Sequence, residues 1–550
     1  MPEITLPVTR GPSWVQRGVD RAAAALLKLP SATGTYTVTE DIPVEMRDGT
    51  KLLADHYAPA GTAHGTILVR SPYGRNQMQT GLYARPFAAR GYHVVLARCR
   101  GTFGSEGEWD PMVHEVDDSA DTVAWLRQQP WFGGRFATLG GSYLGFTQWA
   151  LLQDPPPELV TAIVQVGPHD FASAAYPGGA FILNDLLGWG EAVAHQEEFG
   201  LVRGAMRVAT ISKRIDGPLQ SLPVVDCGTD VLGDHDAWFR KWVSNRDLTS
   251  GHWKKMRLAD SLDRVRVPVL IHTGWQDLFF QQAMEQYHRL HERGVDVAMT
   301  VGPWTHLDIE GKAAPTLMAE TLDWLSAHFT DAPLQRTAAV KVFVSGQDQW
   351  QDHAVWPPAT TSRTLHLQPA ERLGDQPTPS PTSASFTYDP TDPTPSIGGR
   401  LMISAGGYQD DGKLAQRNDT LTFTSDVLEN PLEIAGTPTV HLAHRSDNPH
   451  ADIFVRLSDV DPKGRSTNVS EGFVRLDPAT ISSDVHLELD AVAHRFGAGH
   501  RIRLVIAGGS FPRWERNLGT GADPATSSEM APSHRNIDLT QSHVVLPTIS

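Results

Sequence analysis

The stretch ATLGGSYLGFTQWALL, running from Ala137 to Leu152, decides how the rest of the chain is read. A serine, Ser142, stands in a glycine-lined bend, with a short apolar run before it and a helix-like run after it. That context predicts a nucleophile elbow, a sharp strand-to-helix turn that lifts a hydroxyl above the end of a sheet. The strict G-x-S-x-G spacing is not met. The residues are Gly140-Gly141-Ser142-Tyr143-Leu144-Gly145, with the second glycine one place late. Alone, the stretch reads equally well as a glycine-rich turn with a structural serine.

The sequence around it favours the elbow. The apolar runs GTILVRS, HVVLARC, FATLG, AIVQVG, VPVLIHTG and VAMTVGP are short, β-branched and nearly continuous, as parallel strands covered on both faces should be. Helical stretches, such as 115–129, separate most of them, and the alternation predicts an α/β fold with a mainly parallel sheet. A serine hydroxyl needs a base to accept its proton and an acid to orient that base. In α/β-hydrolases the chain order is Ser, then Asp or Glu, then His. Asp277 follows VPVLIHTGWQ and His306 follows VAMTVGPWT, so each stands just past the carboxyl end of an expected strand. Alone, Asp277 is equally a loop acid or a helix cap. His306 is one of 23 histidines. Asp308 is a rival acid, but no strand of its own precedes it. For the oxyanion, the expected donors are the N–H of Tyr143, next after the nucleophile, and the phenol of Tyr73 in the loop SPYGRN. The plain alternative for Tyr73 is a half-buried aromatic at a strand edge.

Outside this core, residues 14–28 have helical apolar spacing and predict an N-terminal helix outside the main fold. Residues 35–58 alternate apolar and polar around Arg47-Asp48-Gly49, a hairpin turn. Residues 171–258, mostly helical in pattern, form an insertion expected to cap the site. Beyond about residue 335 short alternating segments punctuated by Pro, Gly, Asp and Asn predict an antiparallel β-sandwich or jelly roll. Residues 368–396, rich in Pro, Ser and Thr, read as an irregular loop. The expected domains are thus an extension at 1–34, an α/β-hydrolase domain at 35–170 and 259–335, a helical cap at 171–258, and a jelly-roll domain at 336–550.

Composition narrows the class. The chain has 550 residues, 40% hydrophobic and 20% charged, which suits a multi-domain globular protein. A net charge of -16 argues against a nucleic-acid binder, which carries a basic footprint. Two cysteines, Cys99 and Cys227, make neither a disulfide framework nor a zinc pattern, and Cys99 reads as a buried inert thiol. The start of the chain lacks the plan of a signal peptide, and no apolar run approaches the ~20 residues of a membrane span. These features lead us to expect a cytoplasmic enzyme without metal or cofactor, with no membrane or nucleic-acid partner and with a homodimer left open.

The stretches RSPYGRN, RCRGTFGSEGEWDP, GGSYLGFTQWA, TGWQDLFF, GPWTHLD and, further on, GHRIRLVIAGGSFPRWERN resemble the CocE/NonD hydrolase family, kin to Xaa-Pro dipeptidyl-peptidases and α-amino-acid ester hydrolases. The resemblance covers about residues 36–547. The family's serine motif, G-x-S-Y-x-G, has the spacing seen here. The resemblance implies an α/β-hydrolase domain, a helical cap and a jelly roll. It implies Ser142 as nucleophile, His306 as base, Asp277 as its partner, and Tyr73 with the Tyr143 N–H as oxyanion hole. Ser105 and Glu106, in a further family signature, read as structural. Amino-ester hydrolases place acids just after the triad aspartate to hold an α-ammonium, whereas here Phe279 and Phe280 stand there, and a buried cation needs a carboxylate. The cocaine-esterase branch fits best, and by that resemblance Phe279, Trp189, Met402 and Ile403 would line an apolar acyl pocket. The expectation is a serine esterase for small-molecule esters with neutral, apolar or aromatic acyl groups. One rival is an Xaa-Pro dipeptidyl-peptidase or other amide or amino-ester hydrolase, which would need an acid from elsewhere, such as Asp185 or Glu191. The non-enzyme rival is a jelly-roll ligand-binding protein.

Overall fold

Short β-branched runs become strands and the segments between them become helices, in the alternation the sequence predicts. The computed structural model describes residues 8–198, 201–480 and 484–549; the first seven residues of the expected N-terminal extension lie outside this set. The chain divides into two units. One comprises Met1–Ala174, Thr249–Gly274 and Phe279–Val340; the other comprises Ala175–Leu248, Trp275–Leu278 and Lys341–Ser550.

In the first unit the strands are β1 (Thr9–Arg10), β2 (Tyr36–Glu45), β3 (Lys51–Pro59), β4 (Gly65–Ser71), β5 (Tyr92–Arg98), β6 (Phe136–Gly141), β7 (Leu159–Gln165), β8 (Val269–Gln276) and β9 (Val297–Thr305). The helices used below are α1 (Trp14–Leu26), α2 (Gln77–Tyr83), α3 (Glu115–Leu126), α4 (Tyr143–Leu151), α5 (Phe280–Glu292) and α6 (Ala314–Thr330). β2 and β3 form the expected antiparallel hairpin. Its turn has Gly49 at φ +83°, where a side chain would be strained, and Thr50 N–H bonded to Asp48 Oδ1 at 3.0 Å. From β4 onward the pairings β4–β5, β4–β6, β6–β7 and β7–β8 are parallel. The strand order is β1-β2-β3-β5-β4-β6-β7-β8-β9. Order reverses at β4, whose neighbours are β5 and β6, and open α/β sheets bind ligands beyond the strand ends at such a reversal. Ile67, Val69, Val94, Ala137 and Ile163 are fully buried along these strands, which explains their lack of polar alternation. All nine residues of α4 are buried as well, so that helix shows no polar face.

The second unit contains the helices Leu183–Ala194, Val224–Leu232 and Ala237–Ser244 and the C-terminal strands. The longest strand, Ser533–Thr548, alternates buried and less buried residues on either side of one slip at Thr540–Gln541 and pairs antiparallel with Thr361–Gln368, Ser383–Tyr388 and Thr439–Ser446. Its inward residues join Leu365, Leu457 and Ile506 in one apolar core. The architecture is an α/β-hydrolase fold with a C-terminal β-rich domain. One expectation fails. Residues 368–396 are not wholly irregular, because Arg372–Gly374 and Ser383–Tyr388 are strands. The Ser- and Thr-rich composition hid the alternation of SASFTY, where Phe386 and Tyr388 go inward. Among the described residues no helix is long and apolar enough to cross a membrane.

Candidate active site

β6 ends at Gly141, α4 begins at Tyr143, and Ser142 alone makes the turn, at φ 58° and ψ -121°. A non-glycine residue held there stores roughly 1–3 kcal/mol of strain and persists only where its surroundings over-determine it. Three backbone bonds do so here. Ser142 N–H donates to Gln165 O at 2.9 Å, and Ser142 O accepts from Gly145 N at 2.8 Å and Phe146 N at 3.1 Å. The glycine spacing now has a cause. A Cβ on Gly145 would lie 2.5 Å from the Gly167 Cα, so the backbone crossing of α4 over the end of β7 needs glycine at 145. A Cβ on Gly140 would lie 2.4 Å from the Leu144 Cβ. The late second glycine is thus the one that lets the helix close on the sheet.

β9 delivers His306 to the same place. Its Nε2 lies 2.8 Å from Ser142 Oγ, hydrogen-bond distance for proton transfer. Ser142 is half-buried and His306 is buried. The ring of Phe279 stands edge-on to the imidazole, with centroids 5.4 Å apart, so one wall beside the base is apolar. Asp308, the rival acid, is occupied by its own turn. It accepts from Thr305 N at 3.0 Å and Thr305 Oγ1 at 2.9 Å and pairs with Lys312 at 2.9 Å. Asp277 is buried directly after β8, within the second unit.

Tyr73 follows β4 and is half-buried, its N–H bonded to Ser71 Oγ at 3.1 Å. Tyr143 opens α4, so its backbone N–H lies in the first helical turn. Its side chain runs into the core. The hydroxyl donates to Glu115 Oε1 at 2.8 Å and accepts from Met112 N at 2.8 Å. Glu115 in turn pairs with Arg70 at 2.8 Å, and Arg70 donates to Ser119 Oγ at 2.7 Å. Burial first, and then the charge of Glu115, push the Tyr143 phenol well above its ordinary pKa, so it remains a neutral donor. This buried cluster joins β4, the start of α3 and the start of α4, and it fixes the helix end that carries the turn.

A second polar group feels the charge of the histidine. Glu310, four residues past His306, has Oε1 at 3.3 Å from the hydroxyl of Tyr83, which ends α2. That hydroxyl is also 3.4 Å from Gln165 Oε1. Burial raises the pKa of the Glu310 carboxyl, opposed by the charge of His306 and the bond from Tyr83. Sequence reasoning missed both residues. The i, i+4 spacing in HLDIE was an available signal for Glu310; Tyr83 carried none.

In the second unit, Asp185 and Asn184 at the start of the helix Leu183–Ala194 hold the loop that bears Met402 and Ile403. Asp185 Oδ1 accepts from Met402 N at 2.8 Å, and Asn184 Nδ2 donates to Ile403 O at 2.9 Å. Ile403 lies over Gly188, where a Cβ would come within 2.4 Å of its Cγ1. Trp189 stacks on Trp242 at 5.9 Å and meets Trp238 edge-on at 5.4 Å. Glu191 is neutralised by Arg207 at 2.6 Å and Arg214 at 2.8 Å. In the first unit, Ser105 Oγ and Glu106 Oε2 accept from the N–H groups of Leu53 and Lys51, a structural use. Both cysteines are buried free thiols. Among the described residues no group of three or more His, Cys, Asp or Glu side chains could hold a metal ion.

Residues 48–308 match the family model of X-Pro dipeptidyl-peptidase (S15 family), and residues 333–545 match that of the X-Pro dipeptidyl-peptidase C-terminal non-catalytic domain. Cocaine esterase of Rhodococcus sp. (strain MB1 Bresler) is 29% identical over 579 residues, covering 94% of this chain and 99% of that protein. A solved α-amino-acid ester hydrolase superposes with a TM-score of 0.80 at 21% identity, covering 95% of this chain and 98% of its own. A CocE/NonD family hydrolase from Staphylococcus aureus superposes with a TM-score of 0.70 at 16% identity, covering 94% of each chain. These two structures share the fold.

The Tyr143 cluster yields a stability prediction. Tyr143→Phe keeps the ring but strips a buried carboxylate and a buried N–H of one partner. It should cost about 1.5–3 kcal/mol, the range for hydrogen bonds to charged groups. A clearly lower thermal unfolding temperature is the expected reading, and an unchanged one would contradict the role assigned to the cluster.

Proposed function

Because the chain belongs to the S15-type family of serine hydrolases that includes the CocE/NonD enzymes, we propose that it cleaves carboxylic esters through an acyl-enzyme on Ser142. The carrying observation is the 2.8 Å approach of His306 Nε2 to a serine hydroxyl on a strained strand-to-helix turn. In this reading Ser142 Oγ attacks the ester carbonyl as its proton passes to His306 Nε2. The carbonyl oxygen becomes an oxyanion, and the Tyr143 N–H and the Tyr73 hydroxyl donate to it. Collapse breaks the C–O bond, and the alcohol leaves with the proton from His306. Water, deprotonated by His306, then attacks the acyl carbon and frees the acid and Ser142. Asp277 is assigned the orienting acid, which keeps the Nε2 side of the imidazole free to accept the proton.

The acyl group is proposed to be neutral and apolar or aromatic. Phe279 beside the imidazole supports this, since it offers no anion to an ammonium. Trp189, Met402 and Ile403 are the further candidates for acyl selectivity. The two buried thiols suit a reducing compartment, and we assign the enzyme to the cytoplasm on that ground. A second reading, removal of an N-terminal dipeptide, is favoured by the names of the two family models. It requires an acid for the free amine, and Glu191 is already paired with two arginines. Turnover of p-nitrophenyl butyrate against a Gly-Pro anilide decides between them.

Ser142→Ala or His306→Ala should lower kcat at least ~10³-fold, because members of such a set act as a unit. Asp277→Asn should also lose heavily, by favouring the wrong tautomer. Folded Ser142→Ala protein with near-normal turnover would refute the assignment. Tyr73→Phe removes one donor and keeps the ring. The expected loss is about 10²–10³-fold in kcat with little change in KM, whereas a kcat within a few-fold of wild type would return Tyr73 to a packing role.

Glu310 gives a pH prediction. Burial is the main cause that holds its carboxyl above the ordinary pKa, so the folded protein keeps that proton more tightly than the unfolded chain does, and the stability this contributes is lost as pH rises above the ordinary carboxylate range. Glu310→Gln, which has no proton to lose, should therefore gain in thermal unfolding temperature relative to wild type as pH is raised from acid to neutral. A difference between the two proteins that does not change with pH would contradict the raised carboxyl.

A further inference from the structure

A groove of about 580 Å³ lies alongside α1 in the first unit. Its walls are that helix, the segment leading from it into β2, and the short helix Arg85–Ala88 with the residues after it. Small apolar residues, among them Ala24, Leu29, Pro86 and Ala89, line much of it. Its charges do not balance. Arg17, Arg21, Arg85 and Arg90 line it together with one carboxylate, that of Asp20. Asp20 is already engaged. It accepts from Gln16 Nε2 and from the Tyr36 hydroxyl, each at 2.8 Å, and pairs with Arg85 at 3.2 Å. Arg90 is left without a counter-charge. Its side chain is only 7% exposed, and it donates to Pro86 O at 2.8 Å and to Pro30 O, from Nε at 3.1 Å and again from Nη2. Burial lowers its pKa, and no neighbouring carboxylate opposes that shift. Buried charges are ordinarily paired, because carbonyls alone offset only part of the lost hydration. Arg17 and Arg21 stand one helical turn apart at the exposed rim. Arg17 donates to Pro12 O at 2.8 Å, and among the described residues neither pairs with a carboxylate.

We propose that this groove binds a monocarboxylate that carries an apolar body, its carboxylate on Arg90 and its apolar part against Ala24, Leu29 and Pro86. The number of charges follows from burial. One buried guanidinium lacks a counter-charge, so one anionic charge balances it. Arg17 and Arg21 are solvated, and they add an attracting field that salt screens. Asp20, in the same groove, repels a second negative charge. The shape of the head group follows from the donors. Both Nη atoms of Arg90 keep an N–H beyond the bonds to Pro30 and Pro86, and a carboxylate accepts such a pair as a fork. The apolar body follows from the walls. A bare inorganic anion would leave them in contact with water, and a neutral hydrocarbon would leave Arg90 uncompensated. The volume falls within the ~300–1,000 Å³ usual for small-ligand sites. None of Tyr73, Ser142, Tyr143 and His306 lines the groove, so it is a second site, separate from the one proposed for ester cleavage. In a chain of net charge -16, a groove with four guanidiniums and one carboxylate is a local reversal of sign that favours an anion.

The test is isothermal titration calorimetry of the full chain at low salt with sodium octanoate. 1-Octanol and inorganic phosphate serve as the apolar and the anionic half alone. Octanoate should bind with a dissociation constant on the order of 0.1–1 mM, and each half at least ~tenfold more weakly. Arg90→Gln removes the buried charge and should weaken octanoate at least ~tenfold. Because Arg90 also ties Pro30 and Pro86 together, Arg21→Glu is the variant that keeps the test independent of folding. Its side chain is exposed on α1, and reversing its charge should weaken octanoate several-fold at low salt, with the difference shrinking as salt is added. Wild type that takes up no octanoate overturns the proposal. Phosphate or octanol binding as tightly as octanoate overturns the assigned ligand class. Octanoate affinity unchanged in Arg21→Glu at every salt concentration would put the binding elsewhere on the molecule and overturn it as well.

Discussion

Everything proposed for the site depends on one close approach, the crossing of α4 over the end of β7 with the Gly145 and Gly167 backbones in contact. That crossing places Ser142 in the left-handed region and presents the first turn of α4 toward the space above the sheet. The strain at Ser142 is offset by bonds to Gln165, Gly145 and Phe146 and by a helix buried on all sides. Hydrolytic chemistry at a serine needs its hydroxyl lifted clear of the sheet and within reach of a base, and this local geometry supplies both conditions.

Around that turn, the first unit arranges buried polar groups in two clusters of different purpose. One, made of Tyr143, Glu115, Arg70 and Ser119, has no chemistry of its own and anchors the helix end. Its members are buried and their charges are paired, as charges in a low-dielectric interior must be. The other, Glu310 with Tyr83, holds a buried carboxyl whose pKa burial raises against the charge of His306 and the bond from Tyr83.

Much of this was legible in the sequence, for physical reasons that can be named. Parallel strands buried on both faces leave uninterrupted β-branched runs, and the strand ends that carry Ser142, Asp277 and His306 follow from chain order alone. The spacing of Gly140 and Gly145 looked anomalous until Gly167 supplied its cause. Glu310 and Tyr83 were not legible as a pair, because two residues over two hundred positions apart meet only through the sheet. The SASFTY strand was masked by its polar composition. Helix α1 was readable as a helix, yet its apolar stripe would ordinarily predict burial. In the structure that stripe faces outward, with Trp14 and Leu26 each 78% exposed, while Asp20 bonds to Tyr36 and Arg85.

The central claim is that the hydroxyl of Ser142 is an activated nucleophile. It is tested most directly by treating the protein with diisopropyl fluorophosphate and locating the adduct by intact mass and peptide mapping. A single diisopropylphosphoryl group, carried on Ser142 and absent from the His306→Ala protein, is the predicted result. An active esterase that takes up no label, or carries it on another residue, would contradict the account.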